Sequence, residues 1–342
     1  MSENTSPTRK RIILHDISSR AWEHPADRGA LVALRKLQGF DTIVRKWSGF
    51  INERMVKMLL LGSNVRVSER QFPRVHKLYA EAGQSLDVAE LPELYVSASP
   101  LLNAYTIGMD TPRIVVNSAL VDLMDDDELR FVLGHELGHA LSGHALYRTL
   151  LAYLIQVGAT LAGGIPFGYW GIRAIIAALG EWARKAELSG DRAGLLATQD
   201  VGAAIRVQMK LASGGHLADL DQTEFLEQAR EYDATEDLRD SVMKFILIEE
   251  TSHPYAVMRA GELRKWVDSG EYAEILSGNY PRRQQDRDAR ISEEAAAAAE
   301  SYLSAFRSSQ DSIVRLARDL GDGLGEFGRW IGGRFKQGPP NQ

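Results

Sequence analysis

The chain has 342 residues, 44% hydrophobic and 25% charged, the balance of a globular protein long enough to bury a sizeable core. Its 40 basic residues stand against 46 acidic ones, and the formal charge of −6 gives no electrostatic case for nucleic acid as a partner. Cysteine is absent, which excludes disulfides, thiolate metal sites and cysteine nucleophiles together.

The opening stretch, MSENTSPTRKRIILHDISSRAW, has a few basic residues and no apolar run of signal-peptide length, so a cytoplasmic location and a tail over residues 1–29 are expected. Ala30 to Leu61 reads as helical: Leu31, Leu34 and Leu37 recur at helical spacing, and Asp41 suits an N-cap. Arg35, Lys36, Arg45, Lys46, Arg54 and Lys57 interleave there with Trp47 and Phe50. The solvated face of a packed helix is the plainer reading, and a surface facing nucleic acid or lipid is the other. Phe72–Ala82 reads as a further helix ended by Gly83. Glu93–Ser97 and Arg113–Asn117, β-branched and bounded by proline or turn residues, read as strands.

Asp125-Asp126-Asp127-Glu128 starts a helix, where acids suit the positive end of the dipole. That helix carries FVLGHELGHALSGH over Phe131–His144, including His135-Glu136-Leu137-Gly138-His139. Residues four apart share a helical face, so His135 and His139 can grip one zinc ion and leave part of its shell open. Glu136 is placed to reach a metal-bound water as general base. The bland alternative is an amphipathic helix with two satisfied histidines. A longer motif with Gly at 142 and His at 145 fails, because Ser142 and Ala145 stand there. His144 is rotated about 140° from His139 if the helix persists, and reads as a partner or cap rather than a ligand. Downstream, Glu187 and Asp191 lie four apart in EWARKAELSGDRAGL. Glu187 can complete a His2Glu ligand set while Asp191 orients a ligand imidazole. An exposed strand edge beside such a helix would let a peptide substrate add as an extra strand.

Between the two motifs, Thr149–Ile172 carries no charged side chain. Length alone would make it a membrane span. Gly163-Gly164-Ile165-Pro166 interrupts it, however, and Glu187 must return to the ion of His139. An apolar helical hairpin satisfies both, either buried against the domain or in contact with a bilayer over 149–180. Beyond it the chain is helical, with Val207–Leu211 and Thr223–Arg230 either side of Gly214-Gly215. Composition shifts near Ser277–Pro281, where a helical extension over 281–342 begins. In it Ile313, Leu316, Leu320, Leu324, Phe327, Ile331 and Phe335 make one apolar stripe. The stripe over 313–335 can dock on its own domain, another subunit or a membrane surface.

HELGHALSGH followed by AELSGDRAGL resembles the gluzin-type zinc peptidases, the family of bacterial HtpX and the eukaryotic CAAX prenyl endopeptidase. That family has HExxH, then ExxxD with a small residue before the Asp, here Gly190. Leu102-Asn103-Ala104-Tyr105 and Arg113–Leu120 resemble the segment and strand that precede its active-site helix. Ser252-His253-Pro254 with Arg259 resembles its HPxxxxR motif, so the likeness spans roughly 72–267. The resemblance implies one zinc ion per chain on His135, His139 and Glu187, with Glu136 as base. It further implies Asn103 and Ala104 as contacts to an extended substrate and His253 as a transition-state stabiliser at the scissile carbonyl. Misfolded or membrane-derived protein is the substrate class it implies; a prenyl substrate is disfavoured, because the many spanning helices that enclose one are missing. The expected fold is α+β and predominantly helical, a zincin-like metallopeptidase domain with the HExxH helix, a small sheet and the apolar hairpin. Its expected limits are 30–280, with a helical part at 30–90 and a catalytic core at 91–267. A zinc endopeptidase is the expected activity; a zinc hydrolase of a non-peptide bond and a catalytically silent scaffold for a partner or membrane are the alternatives. Nothing in the sequence sets the oligomeric state.

Overall fold

The computed structural model describes residues 10–36, 53–161, 166–234, 255–288, 292–293 and 295–301, without the side chains of 36, 157–175 and 287–288. Helices α1 (Pro25–Lys36), α2 (Glu53–Ser63) and α3 (Pro73–Ser85) alternate with strands β1 (Val65–Arg66) and β2 (Glu93–Ser97). Strands β3 (Ala104–Ile107) and β4 (Arg113–Asn117) lead into α4 (Ser118–Leu123) and α5 (Asp126–Leu141). Then come α6 (His144–Leu161), α7 (Pro166–Thr198), α8 (Val201–Ser213), α9 (Gln222–Ala234), α10 (Ala256–Asp268) and α11 (Glu271–Leu276). The result is mostly helical with one small mixed sheet, as the family resemblance implies.

The sheet runs β1-β2-β4-β3. β2 and β4 are parallel, with Leu94 opposite Ile114 and Val96 opposite Val116; the two outer pairings are antiparallel. Every residue of β4 is buried, because helices cover both faces of the sheet. Alternation sorts the side chains. Leu94, Val96, Ala104, Ile114 and Val116 enter the main core with α3 and α5, whereas Tyr95 and Val115 meet Val56 and Leu60 of α2. The two expected strands are β2 and β4; β3, beside them, is the edge that runs along α5.

α5 opens on a capping box, with Asp125 Oδ1 accepting from the Glu128 N–H and Glu128 Oε2 accepting from the Asp125 N–H, each at 2.9 Å. From Glu128 to His139 it is buried all round, so it is a core helix and not a surface one. It ends at Ser142 and Gly143, and His144 begins the next helix, so the continuous helix that would rotate His144 away does not exist. α3 runs on to Ser85 instead of stopping at Gly83. A Cβ at 83 would stand 2.5 Å from Leu91 Cδ2, so this glycine makes room for a packed leucine and not for a helix end.

A second core forms where Tyr147, Leu150 and Leu154 of α6 meet Ile176, Leu179 and Trp182 of α7 and Ala30, Ala33 and Leu34 of α1. Those side chains of 149–180 point into the domain. Among the described residues no helix is long and apolar enough to cross a membrane. The turn expected at 163–166 falls largely outside the described residues, as do residues 37–52 of the expected N-terminal helix and the stripe over 313–335.

The N-terminal stretch differs from the tail expected of it. Leu14, Ile17 and Trp22 are buried in the main core with Leu78, Leu86, Trp266 and Ile275. Ser18 N–H donates to the Pro281 carbonyl at 3.0 Å and Ile17 bridges to Arg282, so residues 17–18 pair with residues 281–282.

Candidate metal centre

Two helices build the site. α5 carries Gly134 and Gly138 one turn apart, and α7 faces them with Gly190, Ala193, Gly194 and Ala197. A Cβ on Gly190 would lie 2.7 Å from His135 Cε1, so α7 backbone rests directly on the imidazole. This close crossing explains the small residue before Asp191. It also brings Glu187 and Asp191, one helical turn apart, onto the same histidine.

Nε2 of His135 and Nε2 of His139 lie 3.0 Å apart. Glu187 Oε2 is 3.5 Å from the first and Oε1 3.3 Å from the second, and all three residues are buried. Donors bound at about 2.0–2.1 Å around a tetrahedral ion stand about 3.3 Å from each other, so these separations suit a small divalent ion. The electrostatics agree. Burial alone would disfavour charge on His135, but its hydrogen bonds to Asp191 and Glu187 and their charges outweigh it and push the ring up to about 9. His139 is held well below the usual histidine range by burial and then by the charge of Arg148. Arg148 Nη1 itself lies 2.7 Å from both His139 Nε2 and Glu187 Oε1, a cation seated on two of the three donors. The pocket therefore favours positive charge at His135, and an ion there would take the place of the ring's proton.

Glu136 is buried beside them. Thr106 Oγ1 on β3 stands 2.7 Å from Glu136 Oε2, while Oε1 has no hydrogen-bond partner among the described residues and lies 3.9 Å from His135 Nε2. Asp191 Oδ1 is 3.1 Å from His135 Nδ1; Arg259 clamps the same carboxylate at 2.6 and 2.7 Å, and Gln208 Nε2 adds 3.1 Å. Asn103 and Ala104 line a narrow, mostly apolar cleft with His135, Glu136 and Arg259 at the start of β3. His253 lies outside the described residues. Asp27, Thr106, Arg148 and Gln208 escaped the sequence reading. Thr149, bonded both ways to Gly108 at the far end of β3, escaped it too.

A helix presenting two imidazoles and a carboxylate, an acidic donor from a second helix and a strand edge alongside are the parts of a zincin-type metallopeptidase. Residues 69–267 match the model of Peptidase family M48, and the chain belongs to that family. It is similar to the plastoglobule-localized metallopeptidase 48 of Arabidopsis thaliana chloroplasts, 36% identical over 270 residues that cover 78% of this chain and 77% of the relative. Shorter likenesses join it to protease HtpX homologues. One from Trichormus variabilis is 29% identical across 30% of this chain and 33% of its own length. One from Bacillus subtilis is 34% identical across 24% and 27%. No solved structure matches. Membership makes the chain a metal-dependent endopeptidase acting on protein or peptide substrates.

Proposed function

We propose that the metal is zinc, one ion per chain, held by His135, His139 and Glu187, and that Glu136 is the general base. The observation that carries this reading is the set of three mutually facing buried donors with Glu136 beside them, its Oε1 unpartnered among the described residues. Zinc held there would supply Lewis acidity toward the scissile carbonyl and the attacking water. Glu136 keeps Oε2 on the Thr106 hydroxyl, which leaves Oε1 to take the proton of the water and deliver it to the leaving amine. Asp191, fixed by Arg259 and Gln208, orients the His135 ring. The outer edge of β3 would receive an extended substrate, with Asn103 and Ala104 at its entry and His253 at the scissile carbonyl.

Misfolded or membrane-derived protein is the proposed substrate class. For this chain a cytoplasmic location is proposed, with contact to a lipid-bounded surface through 149–180 or 313–335. The name of the chloroplast relative, which places that protein at plastoglobules, supports the surface part of this reading.

The test is cleavage of casein by the zinc-loaded full chain, with Glu136→Gln and Glu187→Ala alongside. Wild type is expected to cleave. Glu136→Gln should hold one zinc and lose at least about 100-fold in turnover, the usual size of a general-base contribution. Glu187→Ala should lose most of its zinc. Undiminished turnover in Glu136→Gln would overturn the mechanism.

A further inference from the structure

The two candidate ligand histidines are held differently. His135 meets a carboxylate directly, at Asp191. His139 Nδ1 instead meets another imidazole, His144 Nδ1, at 2.9 Å. His144 Nε2 in turn lies 3.1 Å from Oδ2 of Asp27, a buried residue of α1. We propose that Asp27 and His144 are positioning residues: a hydrogen-bonded relay that fixes His139 in the tautomer a metal ligand requires. The proposal rests on the reading of His135, His139 and Glu187 as the metal site.

The direction of every proton in the relay follows from its ends. The Trp182 indole N–H can only donate, and it donates to Asp27 Oδ1 at 2.9 Å. Ser189 Oγ accepts the His24 N–H at 2.9 Å, and its own proton goes to Asp27 Oδ2 at 2.6 Å. Asp27 is thus an acceptor on both oxygens, a carboxylate, and His144 must present Nε2–H to it. The other nitrogen of a neutral His144 is then a lone pair, so across the 2.9 Å contact His139 must be the donor. With its proton on Nδ1, His139 has its lone pair on Nε2, which faces His135 and Glu187. The opposite tautomer would point an N–H into the site and could not ligate. Each polar atom of the chain has a partner, and edge-on packing of His144 against Trp182, ring centroids 5.4 Å apart, holds the intermediate ring. Neither Asp27 nor His144 reaches the reacting atoms; both act through His139.

The relay is tested on the full-length protein by zinc competition against a chromophoric chelator, and by the visible spectrum of the cobalt-substituted protein. The variants are Asp27→Asn, His144→Ala and His144→Asn. Urea unfolding of the metal-free forms checks that each is folded. Partners of this kind are worth about 10- to 100-fold in metal affinity. Asp27→Asn and His144→Ala are expected to bind zinc that much more weakly and to shift the cobalt bands. His144→Asn, which keeps an acceptor where Nδ1 was, is expected to regain part of the affinity. Wild-type affinity in folded Asp27→Asn, or His144→Asn no better than His144→Ala, overturns the relay while leaving the metal site standing. Absence of zinc binding by wild type would overturn both.

Discussion

His135 experiences two opposing demands. Burial strips its ring of water, and two carboxylates reward it for carrying charge; the second effect wins, and the ring is pushed up to about 9. Because the pKa lies above the ordinary 6.5, the sign follows. In the metal-free protein the charged ring contributes stability in full below about pH 6.5 and loses it as pH rises through about 9. An ion on His135 needs the neutral ring, so zinc must displace a proton. Calorimetric titration in buffers of different ionisation enthalpy is expected to show close to one proton released per zinc at pH 7.5, falling away above about pH 9. Proton-neutral binding at pH 7.5 would contradict this account. At this scale the residues legible in the sequence were those related by a fixed local spacing: His135, Glu136 and His139, and Glu187 with Asp191. Asp27 and Gln208 reach the site only through tertiary packing, from 112 and 69 residues away from His139, and a lone acid or amide on a helix carries no signal of that. Arg148 is nearer, but on a separate helix whose start at His144 the sequence did not mark.

The crossing of α5 and α7 sets the site more than any single ligand does. Small residues on both sides let the helices approach until Gly190 lies against His135, and only then can two residues one turn apart on α7 reach the same imidazole. Gly190→Ala puts this to the test. Alanine favours a helix interior by up to about 1 kcal/mol over glycine. Here the added methyl would stand 2.7 Å from a ring atom, and overpacking of this kind costs about 1–3 kcal/mol unless the ring moves. Zinc affinity is therefore expected to fall at least 10-fold, with stability of the metal-free protein unchanged or lower, as read by chelator competition and urea unfolding. Unchanged affinity would mean that the seam tolerates a methyl and does not position the ligand. β2 and β4 were legible because both are β-branched and bounded by turn residues. β3 was not: Tyr105, Thr106 and Ile107 favour strands, but a run of four residues is short, and pairing with β4 fixes it. Gly83 misled for a related reason, since its role is to admit Leu91 and not to end α3.

Across the whole molecule, the N-terminal stretch ties together parts that are distant in sequence. Arg11 donates to the Thr198 carbonyl at the end of α7, and Ile12 exchanges two hydrogen bonds with the Gln199 side chain. Trp22 reaches the turn after α5, where its indole N–H donates to Ser142 Oγ at 3.1 Å. Asp27 then enters the relay to His139. A polar-rich opening with scattered apolar residues has no period to reveal this, which is why residues 1–29 read as a tail. If residues 14–22 are core, removing Trp22 must cost as much as removing a central aromatic. Trp22 is 1% exposed, and truncation of a buried tryptophan to alanine costs about 3–5 kcal/mol through lost burial and the cavity left behind. Urea unfolding of full-length Trp22→Ala is expected to show that loss, and Trp22→Phe, which fills most of the volume, a smaller one. Ser142 caps α5 three residues beyond His139, so Trp22→Ala should also weaken zinc binding, whereas a mutation in an uncoupled tail would change neither quantity. A stability loss under about 1 kcal/mol would show that the stretch lies against the domain without supporting it, and the dependence of the metal centre on the start of the chain would then rest on Asp27 alone.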